Sequence, residues 1–278
     1  MLDRNDRRIA PPNTALPQRA VVTAPHLPLF SAAGERVSSA VYGEPIEIYE
    51  RRGDCVLIRS GADHYVGWAR LKGLGPWPDT PPTHWISAPM TNAFSEPDLK
   101  SMPKAALFLG SRFSVAKRDG NYLLIDDFGW VPRQHTRELG ERLPEPSAVA
   151  LGFMGTPYLW GGRDATGLDC SALVQLAFGA CGARLPRDSD MQFAWSGVAI
   201  EAPLGPSTLQ KNDLVFWKGH VGLMLDAETL IHANANHMAV ALEPLEVAVK
   251  RIATLYGPPT GARRITFPHT AEPDWFVR

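Results

Sequence analysis

The sequence predicts an α+β chain: two small all-β barrels followed by a domain that mixes helices with strands. Between residues 19 and 142, short runs rich in β-branched residues alternate with turn signals. A Gly-Trp pair stands near the end of the last clear strand in each half, Gly67-Trp68 and Gly129-Trp130, which is a weak internal repeat. Past Pro144 and Pro146 the pattern changes, with a helical stretch over 171–180 and three strand-like runs after it.

Residues 1–18 are polar, punctuated by proline, and read as an arm. The first barrel spans 19–78, with strands at 20–23, 45–49, 55–58 and 65–68. Arg52-Gly53-Asp54 and Ser60-Gly61-Ala62-Asp63 supply its hairpin turns. Pro76, Pro78, Pro81 and Pro82 predict a linker without regular structure. A second barrel follows over 79–142, with strands at 106–109, 113–116, 122–125 and 128–131 and a strong hairpin signal at Asp119-Gly120-Asn121. Each barrel is expected to bury its tryptophan. The mixed domain occupies 143–278.

Composition narrows the function. The 28 basic residues meet 29 acidic ones without a block of like charge, so neither nucleic acid nor an anionic membrane finds an electrostatic footprint. The N-terminus lacks the apolar stretch of roughly 7–15 residues that a secretory leader needs. A cytoplasmic location is therefore expected. The 25 prolines favour turns and short strands over long helices. Three cysteines, Cys55, Cys170 and Cys181, make neither a disulfide framework nor a Cys-x-x-Cys zinc pair.

One of the thiols stands in a reactive setting. Glycine-rich backbone, Tyr158-Leu159-Trp160-Gly161-Gly162, leads through Gly167-Leu168-Asp169 into Cys170 at the start of the helix. Cys170, Leu173, Val174, Ala177, Phe178 and Cys181 have the spacing of one buried face, and Gly182 is the stop signal. A helix N-terminus with a cationic neighbour lowers a thiol pKa. About three turns, roughly 16 Å, separate Cys170 from Cys181 along the helix, beyond disulfide reach.

A thiol nucleophile needs a base held by a third group. Asp226-Ala227-Glu228 predicts a loop between strands at 220–225 and 230–233, and a register centred on Asp226 sets His220 directly opposite His232. His220 is then the base and His232 its orienter. Taken singly, each of these residues is more often a core residue than a catalyst; their joint placement reverses that balance. His232 and His237 are five apart with no third ligand in view, so no metal site is expected.

The motifs Tyr158-x-Trp160-Gly161-Gly162, Gly167-x-Asp169-Cys170-Ser171, Leu185-Pro186-Arg187-Asp188-Ser189-x-x-Gln192, Asp213-Leu214-Val215-Phe216, His220-Val221-Gly222 and Ile231-His232-Ala233 occur in order. Together they resemble the NlpC-type cysteine peptidases, papain-like enzymes that cleave peptidoglycan stem peptides. The double barrel resembles the bacterial SH3-like domains that accompany some of them. The resemblance implies that Cys170, His220 and His232 are the catalytic set, with no cofactor and no metal. In the leaderless branch it implies a recycling endopeptidase that cuts between γ-D-glutamate and the diamino acid of a free murein tripeptide with an unblocked L-alanine. Asp188 and Ser171 would then hold the substrate amine, and Tyr65 and Glu44 of the first barrel would close the pocket. An exported hydrolase acting on the wall, or a non-catalytic murein-peptide binder, remain alternatives. Ala172 stands where the family usually has glycine, a change that favours the helix.

Overall fold

The computed structural model describes residues 6–11, 16–125, 128–201 and 203–276. Residues 1–5 and 12–15 of the arm lie outside this set. The chain divides between Arg142 and Leu143 into two units. Among the described residues no helix is long and apolar enough to cross a membrane.

The N-terminal unit is built of strands and turns, with single 3-10 turns at Leu71–Gly73 and Arg133–His135. Its first seven strands are β1 (Gln18–Val22), β2 (His26–Phe30), β3 (Arg36–Val41), β4 (Pro45–Arg52), β5 (Cys55–Ser60), β6 (Val66–Arg70) and β7 (Leu74–Pro76). They form one sheet in the order β3-β2-β6-β5-β4-β1-β7. Val22, Leu29, Ile46 and Ile58 fill its interior, each almost fully buried. The Arg52-Gly53-Asp54 turn joins β4 to β5, which pair from Arg52 and Cys55 onward. Pro76 departs from the expected linker. It pairs with Ala20 at the end of β7, an edge position where a missing N–H costs no ladder bond.

Eight strands follow: β8 (His84–Ile86), β9 (Met90–Phe94), β10 (Pro103–Phe108), β11 (Arg112–Phe113), β12 (Lys117–Asp119), β13 (Tyr122–Ile125), β14 (Gly129–Pro132) and β15 (Thr136–Glu138). They make sheets ordered β10-β9-β14-β13-β12 and β11-β8-β15 around a core of Ile86, Leu107, Phe113, Leu123, Ile125 and Val131. The expected strand over 113–116 is split here, Phe113 ending β11 and Lys117 beginning β12. The two barrels meet where the Arg112 N–H donates to the Tyr42 carbonyl at 2.9 Å and the Tyr42 ring packs edge-on to Phe128, 4.3 Å between centroids.

The Gly-Trp repeat has a structural counterpart. Trp68 of β6 pairs with Phe30 of β2, and Trp130 of β14 pairs with Phe94 of β9. The glycine ahead of each tryptophan faces that same partner strand. A Cβ on Gly129 would meet the Phe94 carbonyl oxygen at 2.3 Å, and one on Gly67 would meet the Leu29 Cβ at 3.0 Å. The tryptophans differ in burial, however. Trp130 is buried, whereas Trp68 is half-buried under the Arg52 guanidinium, 4.6 Å from its ring centroid. Both rings carry a cation, Lys117 standing 5.7 Å from the Trp130 centroid, but only at Trp68 is part of the ring left to solvent.

The C-terminal unit contains α1 (Pro146–Leu151), β16 (Arg163–Asp164), β17 (Gly167–Leu168), α2 (Cys170–Ala180), α3 (Ser189–Trp195), β18 (Val198–Ile200), β19 (Leu214–Trp217), β20 (His220–Met224), β21 (Thr229–Asn234), β22 (Ala239–Pro244), α4 (Leu245–Tyr256) and β23 (Gly261–Arg264). Its six-stranded antiparallel sheet runs β18-β23-β19-β20-β21-β22. Helix α2 packs on β20 and β21, and α4 on β21 and β22. Helix α2 is not the one-faced helix its spacing suggested, because Ser171, Ala172 and Gln175 are buried alongside Leu173 and Val174. Protein covers most of it, leaving Leu176 half-buried and Gly179 exposed, so small and polar residues are needed on much of the side away from the sheet.

Gly129→Ala should destabilise the N-terminal unit by roughly 2–4 kcal/mol, through a backbone collision and a positive φ of 109°. Gly120→Ala, in open space at φ 51°, should cost about 1–2 kcal/mol. Urea unfolding of the two variants measures the difference; equal losses would remove the close approach as the cause.

Candidate active site

The loop before α2 is organised by Asp169. As N-cap of α2, its Oδ1 accepts the Ala172 N–H at 2.9 Å, while Oδ2 accepts the Gly161 N–H at 3.0 Å. Arg187 closes the arrangement: Nη2 donates to Oδ2 at 2.6 Å and Nη1 to Oδ1 at 2.9 Å. The same guanidinium reaches the Ser171 Oγ at 2.9 Å and the Gly162 carbonyl at 3.3 Å. Its side chain is 1% exposed and that of Asp169 10%. This buried ion pair locks the glycine loop, the first turn of α2 and the Leu185–Ser189 segment together.

Cys170 therefore stands at the first position of a rigidly capped helix. The backbone N–H groups of Val221 and Ser171 donate toward its sulfur, which puts the thiol beside the start of β20. Burial pushes the thiol up to about 12, and the Asp169 carboxylate adds to the rise, against the opposite pull of Arg187 and the two N–H groups. This reverses the lowered pKa expected from the helix start, because desolvation of a thiolate outweighs the cation and dipole around it. Tyr158 lies near enough to interact electrostatically with Cys170, and its own hydroxyl is pushed well above the ordinary range by burial.

The histidines are on the same sheet face but are not opposite one another. Leu223 pairs with Ile231 and Met224 with Leu230, a register centred on Ala227 rather than Asp226. Leu225 donates its N–H to the Thr229 carbonyl, so the hairpin closes around Asp226-Ala227-Glu228 with Ala227 at its centre, and the pairing shifts by two residues. His220 and His232 become diagonal neighbours, and parity keeps them on one face. His220 Nε2 and His232 Nδ1 are 2.9 Å apart, and His232 Nε2 is 3.1 Å from Glu243 Oε2.

Glu243 sets the direction of this chain. Arg251 Nε donates to its Oε1 at 2.9 Å, and Nη2 bonds Oε2 at 2.5 Å. That guanidinium holds the Glu243 carboxyl below its ordinary range. An ionised carboxylate accepts and cannot donate, so His232 carries its proton on Nε2 and offers the Nδ1 lone pair. His220 must then donate from Nε2, which leaves its Nδ1 bare. Burial lowers His220 to about 3 and His232 to about 4, with mutual repulsion adding for His220. The resting set is thus a neutral thiol and two neutral imidazoles.

The other sequence-predicted positions are distributed as follows. Ser171 is buried; its hydroxyl donates to Asp169 Oδ1 at 3.1 Å and accepts from Arg187, which leaves one lone pair for a further donor. Asp188 is half-buried at the N-cap of α3. Glu44 and Tyr65 belong to the N-terminal unit and are both buried. There Glu44 Oε1 accepts the Ser60 hydroxyl at 2.6 Å. Arg187, Glu243 and Arg251 are the contributors that sequence reasoning missed. Arg187 stood inside a quoted motif, whereas Glu243 and Arg251 carry no motif signal. The expectation that His232 and His237 lack a third ligand is also corrected: donor atoms of His232, His237 and Glu243 lie within 4.8 Å of one another. The β21–β22 hairpin pairs Glu243 with Leu230, and that register cannot be read from spacing in the chain.

Residues 155–253 match the NlpC/P60 family and residues 30–74 the bacterial dipeptidyl-peptidase SH3 domain. The C-terminal unit carries an NlpC/P60 cysteine peptidase domain. The chain is 26% identical over 238 residues to dipeptidyl-peptidase 6 of Lysinibacillus sphaericus, covering 76% of this chain and 85% of that one. It is 26% identical over 225 residues to the γ-D-glutamyl-L-lysine dipeptidyl-peptidase of Bacillus subtilis, covering 70% and 71%. The crystal structure of an NlpC/P60 family protein from Bacillus cereus superposes with a TM-score of 0.74 at 19% identity, covering 89% of this chain and 99% of that one. That likeness is one of fold. The NlpC/P60 match contains Tyr158, Asp169, Cys170, Arg187, His220, His232, Glu243 and Arg251.

Two outcomes follow from the domain's charge layout. Arg187→Ala should cost about 3–5 kcal/mol of stability, since it strands a buried carboxylate; a loss below about 1 kcal/mol in denaturant titration would show the pair to be dispensable. In a Cys55→Ser, Cys181→Ser background, alkylation of Cys170 by iodoacetamide should rise about tenfold per pH unit from pH 6 to 9, as expected for a thiol titrating far above that window. A rate that stays flat from pH 6 to 9 would instead reveal a preformed thiolate.

Proposed function

We propose that this protein is a cysteine endopeptidase that hydrolyses the γ-D-glutamyl–diamino acid bond of free murein stem peptides with an unblocked L-alanine. We further assign it to the cytoplasm, where a reducing medium suits a chain with free cysteines at 55, 170 and 181. The observation that carries the enzymatic reading is the polarised chain Glu243–His232–His220, which ends one residue from Val221, whose backbone N–H donates toward the Cys170 sulfur. The relatives support the choice of bond. A dipeptidyl-peptidase measures two residues from a free amine, so its site needs a carboxylate for that ammonium. Asp188, with the remaining lone pair of Ser171, is the anchor we assign.

In the mechanism, Cys170 Sγ attacks the scissile carbonyl carbon as its proton passes to the bare Nδ1 of His220. No ion pair is needed beforehand; the transfer occurs as the thiol becomes nucleophilic, which is general-base catalysis. The imidazolium that forms donates through Nε2 to His232, whose other nitrogen faces the Glu243 carboxylate, so the new positive charge is offset along the chain. Backbone N–H groups at the start of α2 stabilise the oxyanion. Collapse expels the amine of the diamino acid, which takes the proton from His220. Water then attacks the thioester, again losing a proton to His220, and regenerates the thiol. An uncapped ammonium paired with the half-buried Asp188 carboxylate makes an acetylated peptide a poor substrate, because the carboxylate would lose its partner.

Hydrolysis of L-Ala-γ-D-Glu-diaminopimelate, followed by chromatography of the released dipeptide, tests both levels. Cys170→Ala should abolish turnover, and retention of near-normal rates would overturn the nucleophile assignment. Acetylation of the alanine should lower kcat/KM at least about 100-fold. Equal cleavage of free and acetylated peptides would overturn the amine anchor and leave the peptidase reading standing.

A further inference from the structure

His237 takes no part in the chemistry above, yet its ring completes a second arrangement on the same hairpin. Donor atoms of His232, His237 and Glu243 lie within 4.8 Å of one another. Two imidazoles and a carboxylate are a ligand set suited to Zn²⁺, with a fourth position left for water. Proximity alone would be weak, because Arg251 already holds the Glu243 carboxylate. The second-layer bonding makes it stronger.

Every prospective ligand is held from behind. His237 Nδ1 is 2.9 Å from the Asn234 Oδ1, which also accepts the His237 backbone N–H at 2.9 Å. This fixes the turn that bears His237 and leaves Nε2 as its open nitrogen. His232 is held through Nδ1 by His220 Nε2. Glu243 is held by Arg251, and a carboxylate has lone pairs enough to keep that bond while binding a metal. Ligands with their outer atoms bonded in this way are characteristic of metal centres, where such partners govern orientation and affinity. Access fits as well: His237 is exposed, while His232 and Glu243 line the buried wall.

We propose that His232, His237 and Glu243 form an inhibitory Zn²⁺ site that switches off the peptidase by reversing the tautomers of its histidine chain. Metal bound at His232 Nε2 displaces the proton there, and a neutral His232 must then carry one on Nδ1. That nitrogen now donates to His220 Nε2 instead of accepting from it. His220 in turn keeps its proton on Nδ1, the atom that must be bare to receive the Cys170 proton. The His220 Nε2 proton passes to His232 Nδ1, the proton displaced from His232 Nε2 goes to solvent and solvent supplies one to His220 Nδ1, so each imidazole stays neutral. The thiol itself is untouched. The inhibitory consequence rests on the catalytic reading of His220; the binding of metal does not.

The test separates the two. Calorimetric titration of Cys170→Ala with zinc sulfate, which removes the thiol as a competing ligand, should show one site per chain. Adding His237→Ala should weaken that site at least about tenfold. In the intact enzyme, His237→Ala should leave metal-free turnover unchanged and raise the zinc concentration for half inhibition by at least the same factor, with EDTA restoring activity. Equal zinc affinity with and without His237 would overturn the site. Weakened binding with an unchanged inhibition midpoint would overturn the switch. If the wild-type chain showed no turnover at all, the calorimetry would still decide the metal site while the catalytic reading fell.

Discussion

The pairing of Arg187 with Asp169 is the constraint on which the C-terminal unit depends. One carboxylate serves as helix cap, loop clamp and counter-ion at once, and none of these duties is separable from the others. The guanidinium that neutralises it is almost fully buried. A charge in such a place is tolerated only with its hydrogen bonds satisfied, and here four acceptors surround it. The reward is precision at Cys170, whose position follows from the first turn of α2. A thiol placed on a frayed helix end would drift by more than a hydrogen-bond length from the strand that brings its base.

The second half of the site is built by a different device. Two antiparallel ladders set His220, His232 and Glu243 at hydrogen-bonding distance, and a helix-borne arginine gives the row its direction. Because Glu243 can only accept, each imidazole downstream has a single choice of tautomer. Orientation, which in a two-residue pair must come from packing, comes here from charge at the far end. The neutral resting state follows from the same burial that holds the row rigid.

How much of this was legible depended on whether the signal was local. The helix at Cys170 and its stop at Gly182 could be read because caps and periodicity lie within a few residues. The shared face of His220 and His232 was readable from parity. Their exact pairing was not, since whether the hairpin centres on Asp226 or on Ala227 is decided as it closes. Pro76 looked like a breaker and became an edge residue, because sheet position is a non-local property. Glu243, Arg251 and the role of Arg187 needed the fold itself: they act across 8 to 18 residues or between separate elements. The thiol's raised pKa was hidden for the same reason, as burial is known only after packing.

The paired barrels hold a quieter lesson in their tryptophan strands. In both, a glycine stands where a partner strand presses closest, and in both a phenylalanine of that strand faces the tryptophan. The surroundings of these three residues differ: the sheets split differently, and one indole is buried beneath a lysine while the other is half-buried beneath an arginine. The missing Cβ is thus what frees each indole from its neighbours, since the partner strand's approach is accommodated at the glycine and not at the ring.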